Sequence, residues 1–515
     1  MDTARATFAP GEDGDPDEAI AVLERLGFEF ATSRRVGRTL LDTFDGRLAA
    51  AGLRAEWRQG DRAELIVSGP GTPSAAVALD AVPTSPADVP AGPLRARLAA
   101  VTEVRALLPV VAISAAVTDG AWRDRSGKTV ATSSLHRDID VDGHPDAELV
   151  PWTVEIAELT GYPKKAVTAG VALRELGLVQ LGDETVVVAA TAAGISLSGT
   201  RFEPTVPLDA ELSAAEGVRL VLANLADTID GNWRGTIDDV DPEFLHDLRV
   251  AVRRTRSVLR QCKRSLPSTV VEWASERFGW LAGETGRARD LDVYLIEWDT
   301  YTSPLGLTVV DALHPVRQLL GRHRAEAATR LTATLRSSEA TALLGEWRSW
   351  LRQPVAGDDL GDRADERLGW LVAARLQQVH DDLVRDGRAI GPETPGSEVH
   401  ELRKDAKKLR YLIECFGSLL PSSARGPFVK QLKKLQDNLG EHQDAEVHVA
   451  ELRVMAHDLH DTGAAPDTMT AIGQLAEQLD QRRLAARAAF AEEFDAFDST
   501  STRRSLAAVV EALDG

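Results

Sequence analysis

Hydrophobic and polar positions along this chain follow two different periods. Over roughly the first two hundred residues, apolar and polar side chains alternate in short runs such as RTLLDT, GLRAEWR, AELIVSG and WTVEIAEL, each bounded by Gly, Asp or Pro. Alternation puts successive side chains on opposite faces of an extended backbone, so these runs predict strands. The segment SGTRFEPTVPLDAEL, from Ser198 to Leu212, carries two prolines and ends the pattern. Beyond it, stretches rich in Ala, Leu, Arg and Glu repeat at spacings of three and four, broken briefly by Gly or Pro, which predicts helices. The expected chain is multidomain α+β: an N-terminal antiparallel β-sheet domain over residues 1–199, a linker over 200–212, and an all-α domain over 213–515.

The helical half is duplicated. A shift of 154 residues aligns its two parts without a gap over nearly fifty positions. In that register His246, Leu248, Arg249, Arg253, Arg254 and Arg256 fall on His400, Leu402, Arg403, Lys407, Lys408 and Arg410. Leu281, Gly286, Asp290 and Val293 fall on Leu435, Gly440, Asp444 and Val447, while upstream Val218 and Leu222 fall on Val372 and Leu376. Two repeats, about 213–365 and 367–515, are therefore expected to be related by a pseudo-twofold axis.

The chemistry concentrates in one helix of each repeat. At helical spacing His246, Arg249, Arg253, Arg256 and Arg260 share a face opposite Leu248, Val252, Thr255 and Leu259. The second copy sets His400, Arg403, Lys407 and Arg410 opposite Leu402, Ala406, Leu409 and Ile413. Like charges one turn apart repel by roughly 0.2–0.5 kcal/mol per exposed pair, so a bound anion would stabilise such a row. From Arg249 to Arg260 the row spans about 16 Å at 1.5 Å per residue, which suits a linear polyanion better than a single phosphate. Guanidinium groups grip phosphate oxygens in pairs, and lysines add point charges. Arg322, Arg324, Lys433, Lys434 and Arg483, on other long helices, are candidates for the wall of the same groove. Asp290 and Asp444 stand where they could orient the two rows, or act in ordinary caps and ion pairs.

Charge sharpens this reading. The formal net charge is −20, which argues against general affinity for nucleic acid or acidic membranes. Residues 246–264 nevertheless hold seven Lys or Arg against the single acid Asp247. Glu441, His442, Asp444, Glu446 and His448 resemble a metal cluster, but the counterparts of the two histidines are Ala288 and Tyr294, so no metal site is expected there. Cys262 and Cys415 read as packed thiols. The start of the chain shows no apolar signal-peptide region, and nowhere do eighteen apolar residues run together, so the chain reads as cytosolic. No GxxxxGK[ST] loop, GxSxG elbow or HExxH helix is present.

The H-x-x-R-V-x-x-R-R-x-R run at His246, its copy at His400 and the R-D-L-D-V run at Arg289 resemble the conserved histidine α-helical domain, CHAD, over about residues 210–510. The resemblance implies two helical halves around a basic groove that binds inorganic polyphosphate, with association to polyphosphate granules as a further expectation. LLDTFDGRLAAAGL from Leu40 and WTVEIAEL from Trp152 are similar to segments of the CYTH domain, a triphosphate-tunnel β-barrel. Active CYTH domains open on an E-x-E-x-K strand. Here the register gives Thr3, Arg5 and Thr7, the next cluster reads Glu56, Trp57 and Arg58, and Ile113 to Ala116 reads ISAA. Arg38, Arg58, Lys164, Lys165, Glu155 and Glu158 remain, so the expectation is a degenerate accessory barrel without catalytic residues, in which Mg2+ would matter only if it were active. A metal-dependent triphosphate or polyphosphate hydrolase is the alternative. Nucleic-acid binding is a second, weakened by the lack of aromatic residues interleaved with the cations.

Overall fold

The computed structural model describes residues 5–11, 14–69, 72–144, 152–159, 161–182, 184–197, 199, 206–354 and 360–514. Thr3 and much of the Ser198–Leu212 segment lie outside the described residues. The chain divides into two compact units, Met1–Arg201 and Phe202–Gly515.

The first unit is built on ten strands: β1 (Arg5–Ala9), β2 (Phe28–Phe30), β3 (Arg34–Asp42), β4 (Arg54–Gln59), β5 (Ala63–Gly69), β6 (Thr72–Ala78), β7 (Leu108–Arg123), β8 (Thr129–Val141), β9 (Thr153–Glu158) and β10 (Val179–Leu181). They form one sheet in the order β10-β1-β9-β8-β7-β3-β4-β5-β6, with β2 added against β7. Neighbours along it are antiparallel, as in the register Arg38↔Arg58 between β3 and β4 and Ser134↔Glu155 between β8 and β9. The pleat then sorts the side chains: Arg34, Val36 and Arg38 share a face with Val117, His136 and Glu155. Helices α1 (Pro16–Leu26), α2 (Arg47–Ala50), α3 (Pro93–Thr102), α4 (Pro163–Glu175) and α5 (Thr185–Ala192) complete the unit. Leu23, Ala169 and Leu173 of α1 and α4 pack with Phe8, Val154 and Ile156 in one of its cores.

The second unit is helical: α6 (Ala214–Ile237), α7 (Pro242–Gln261), α8 (Ser268–Glu284), α9 (Gly286–Ile296), α10 (Trp298–Thr302), α11 (Leu307–Ala312), α12 (His314–Leu335), α13 (Ser338–Arg352), α14 (Leu368–Ala389), α15 (Gly396–Cys415), α16 (Ser422–Asp461), α17 (Pro466–Phe497) and α18 (Thr500–Asp514). The duplication is visible in the element boundaries. Helices α6 and α14 start 154 residues apart, α7 and α15 start and end 154 apart, and α8 and α16 again start 154 apart. The copies differ after that, because α8 and α9 meet at Thr285 whereas α16 runs unbroken through the equivalent Leu439 and Gly440.

Counterpart residues also meet one another, as a local twofold requires. Ala214 N donates to Glu366 O at 2.7 Å and Leu368 N to Leu212 O at 2.8 Å, two bonds related by the same shift. Tyr294 stacks on its own counterpart His448 with ring centroids 4.2 Å apart. One continuous core, including Leu222, Leu248, Leu281, Leu376, Leu402 and Leu435, joins the two copies.

Packing between α6 and α7 is close enough to exclude a methyl group. A Cβ at Gly235 would sit 2.3 Å from the ring of Phe244, which is itself buried. Gly235→Ala is expected to destabilise the helical unit by about 1–3 kcal/mol, read from its denaturant unfolding midpoint, since the ring has nowhere to retreat.

Candidate functional site

Helix α7 starts where Asp241 accepts from the backbone N–H of Glu243 at 2.9 Å and of Phe244 at 3.2 Å, with Pro242 in the first turn. Its inner stripe is Leu248, Val252, Thr255 and Leu259, and α15 buries Leu402, Ala406, Leu409 and Ile413 in the same way. The cations occupy what is left of each surface, but they do not form one uniform row.

Arg249 and Arg403 are braces rather than open cations. Arg249 donates to Ala282 O at 2.9 Å and Thr285 Oγ1 at 3.2 Å and stands 4.0 Å from Asp290; Arg403 donates to Asp444 at 3.1 Å. These are equivalent pairs, and each arginine lies against an equivalent glycine. A Cβ at Gly286 or Gly440 would come within 3.5 Å or 3.6 Å of the guanidinium. Burial, then the neighbouring Arg253, pushes the Arg249 guanidinium down to about 10. The expectation that Arg249 belongs to an open face is therefore corrected: its side chain holds α7 to the end of α8. Asp444 thus accepts a hydrogen bond from Arg403, while Asp290 stands at the edge of ion-pair range from Arg249.

Arg403 and most of the other cations, but not Arg249, line two clefts. The first, of ≈ 610 Å³, lies between the second half of α7 and the first two thirds of α15, and is lined by Arg253, Arg256, Arg260, Lys263, His400, Arg403, Lys404, Lys407, Lys408 and Tyr411, among others. None of its lining residues is acidic. The second, of ≈ 640 Å³, uses the first half of α7 and the later part of α15. It gathers His246, Arg253, Arg254, Arg403, Lys407, Arg410 and Arg482, but also Glu297, Glu414, Asp437, Glu441 and Asp444. Arg253, Lys407, Arg403 and Tyr411 belong to both clefts.

The two clefts are counterparts under the duplication. His246, Arg254 and Arg410 in the second correspond to His400, Lys408 and Arg256 in the first, while Glu414 corresponds to Arg260 and Val250 to Lys404. Arg254 donates to Glu414 at 2.6 and 3.1 Å, and Arg410 donates to the other oxygen of the same carboxylate at 2.6 Å. In the first cleft Lys404 pairs with Glu401 at 2.7 Å and Lys408 with Asp405, but no ion pair engages Arg253, Arg256, Arg260, Lys263 or Lys407 among the described residues. Burial, together with Arg403 and Arg253, pushes the Lys407 ammonium down to about 7.

The remaining expected residues are dispersed. His400 receives a hydrogen-bond partner in Gln443 at 2.6 Å, and the two histidines face different clefts. None of Arg322, Arg324, Lys433, Lys434 and Arg483 lines either cleft, so the proposed wall is corrected. Arg324 is held by Asp292 at 2.7 Å and Asp239 at 2.6 Å, Arg483 pairs with Asp480 at 2.8 Å on its own helix, and Arg322, Lys433 and Lys434 are exposed elsewhere. The sequence pattern passed over Lys263, Lys404 and Arg482, although Lys263 lies within the basic 246–264 run. His442 and His448 are buried, and burial pushes His448 down to about 4.

The N-terminal unit has its own cavity, of ≈ 390 Å³, on the face where β3, β4, β8 and β9 turn their charged side chains. Arg38 is 2% exposed and donates to Glu56 at 2.6 and 3.1 Å and to Glu155 at 2.9 Å. Glu56 also accepts from Arg58 at 2.6 and 3.0 Å; burial raises its pKa, but the two arginines override this and hold it at about 2. Of the residues that remain from the sequence pattern, Arg38, Arg58 and Glu155 line this cavity, whereas Lys164 and Lys165 lie on α4, where Lys165 Nζ sits 4.0 Å over the Trp122 ring. Glu158 is not among the lining residues, but Arg5, Arg34, Arg62 and His136, which sequence reasoning missed, are. A magnesium ion needs open carboxylate oxygens, and a cation at Glu56 and Glu155 would have to displace Arg38. These residues do not fit the metal.

A duplicated helical domain with paired cationic helices is what the second unit's fold and clefts define. Residues 220–453 match the family model of the CHAD domain, and the chain carries a CHAD domain. Among solved structures, the CHAD domain from the plant Ricinus communis is 26% identical, covers 56% of this chain and 94% of its own, and has a TM-score of 0.47. PptA from Streptomyces chartreusis is 17% identical over 55% of this chain and 100% of its own, with a TM-score of 0.45. The PH1819 protein from Pyrococcus horikoshii OT3 is 12% identical over 37% of this chain and 98% of its own, with a TM-score of 0.24. The comparison with curated proteins returned no match.

Lys407 gives the site a pH signature. An ordinary lysine titrates near 10.5, so between about pH 7 and 10.5 the unfolded chain binds more protons than the folded one. The contribution of Lys407 to stability therefore rises with pH across that window, and Lys407→Met is expected to remove that slope. A polyanion in the cleft favours the charged ammonium, so binding near pH 8 is expected to take up a proton. Calorimetric titration in buffers of different ionisation enthalpy reads this uptake, which Lys407→Met abolishes.

Proposed function

We propose that the CHAD domain binds inorganic polyphosphate through the acid-free basic cleft between α7 and α15, and that the N-terminal unit is a CYTH-like accessory without hydrolase activity. The observation that carries this reading is the acid-free cleft, in which Arg253, Arg256, Arg260, Lys263 and Lys407 converge without a carboxylate in any of its lining residues. Guanidinium and ammonium groups so placed meet the charge of a phosphate chain directly, and charge-assisted bonds of this kind contribute about 1.5–3 kcal/mol each. The overall charge of −20 repels polyanions at long range, so binding must come from this local arrangement.

Single-stranded nucleic acid is a weaker fit. Apart from His400, Tyr411 is the one aromatic residue lining the acid-free cleft, and base stacking needs a succession of such faces. Among the described residues no helix is long and apolar enough to cross a membrane, and a cytosolic place on polyphosphate granules goes with the proposed ligand.

For the N-terminal unit, the reading rests on Arg38 holding Glu56 and Glu155. The full-length protein is expected to release no phosphate from tripolyphosphate or polyphosphate above background when magnesium is added. For the CHAD domain, titration of the full-length protein with long-chain polyphosphate is expected to give binding that weakens steeply with salt and is poorly competed by single-stranded RNA or orthophosphate. The double variant Arg256→Glu and Arg260→Glu should weaken it by about 100-fold or more, from two lost charge-assisted contacts. Equal affinity in wild type and variant would show that the ligand lies elsewhere.

A further inference from the structure

The duplication supplies two equivalent clefts, but the chain has already filled one of them with an anion of its own. Glu414 stands in the second cleft where Arg260 stands in the first. Its carboxylate takes two bonds from Arg254, at 2.6 and 3.1 Å, and one from Arg410 at 2.6 Å, so both of its oxygens meet guanidinium N–H groups. Two guanidinium groups closing on one oxyanion is the arrangement a phosphate group would take between the same arginines. The side chains are shielded as well, with Arg254 15% and Glu414 19% exposed. Other cations of this cleft are matched in the same way: Arg403 is held by Asp444 at 3.1 Å and Arg482 by Glu441 at 3.0 Å.

We infer that Glu414 is a built-in stand-in for phosphate, which confines the polyanion to the Arg253–Arg256–Arg260 cleft and keeps the twin site closed. The inference rests on the polyphosphate reading above and adds to it which cleft is occupied and what excludes the other. Arg253 and Lys407, shared by both clefts, mark the end of the native track. Replacing Glu414 with a neutral residue frees Arg254 and Arg410 and extends the track across that boundary.

The test uses the full-length protein and two probes, tripolyphosphate and long-chain polyphosphate, with wild type, Glu414→Gln and Arg260→Glu. Wild type is expected to bind one tripolyphosphate and Glu414→Gln two. With long-chain polyphosphate, Glu414→Gln should steepen the dependence of log affinity on log salt by about 1.4, for two added phosphate contacts at about 0.7 each. Arg260→Glu should weaken both probes by about tenfold or more in the wild-type background, and in Glu414→Gln it should weaken one of the two tripolyphosphate sites and spare the other. Two equal sites in wild type overturn the inference without needing any variant. So does a folded Glu414→Gln protein with unchanged stoichiometry and salt slope, while loss of binding in Arg260→Glu leaves the polyphosphate reading intact. If Arg260→Glu binds both probes as wild type does, the polyphosphate reading itself fails.

Discussion

Unmatched positive charge at the meeting of two helices is the constraint on which the helical unit turns. Arg253 and Lys407 are counterparts in the two copies, and both face the same two clefts. Burial, with Arg403 and Arg253 alongside, disfavours charge on Lys407 and depresses its ammonium. The fold holds this arrangement from behind. The stripes led by Leu248 and Leu402 are locked in one core, and Arg249 and Arg403 tie the helices to the segments bearing Asp290 and Asp444. The cost of concentrating cations is carried by this packing, and no carboxylate lines the acid-free cleft to offset it.

The two units meet the same electrostatic problem in opposite ways. In the N-terminal cavity the buried Arg38 bridges Glu56 and Glu155, Arg58 closes on Glu56, and the more exposed Arg34 closes on Asp119 at 2.8 Å. Removing one member of the Arg38 network would leave an uncompensated buried charge. The acid-free cleft of the CHAD domain leaves its charge unmet. Within that domain the cleft bearing Glu414 resembles the first solution and the cleft bearing Arg260 the second.

Much of this was legible in the sequence, because a fixed shift of 154 is a strong signal and the helices preserve it at their boundaries. The apolar stripes of α7 and α15 were legible for the same reason, since period alone places Leu248 and Leu402 inward. What period could not reveal is the fate of each cation. Arg249 has the same helical phase as Arg253, and only the end of α8 turns it into a brace. Arg322, Lys433 and Lys434 are exposed on long helices, where spacing does not say which cleft, if any, a side chain reaches. In the N-terminal unit the cavity draws Arg5, Arg34 and His136 from strands far apart in the chain and Arg62 from the turn between β4 and β5, a convergence set by sheet order rather than by any local motif. The replacement of Arg260 by Glu414 was readable in the repeat register, but its consequence appears only when Arg254 and Arg410 are seen closing on it.

The most direct test of the central claim is a crystal structure of the full-length protein with polyphosphate. The account places a run of phosphate groups between the second half of α7 and the first part of α15, in contact with Arg253, Arg256, Arg260 and Lys407, with Glu414 still held by Arg254 and Arg410. Phosphate density lying in the Glu414 cleft instead, or along an outer face away from both helices, would contradict it.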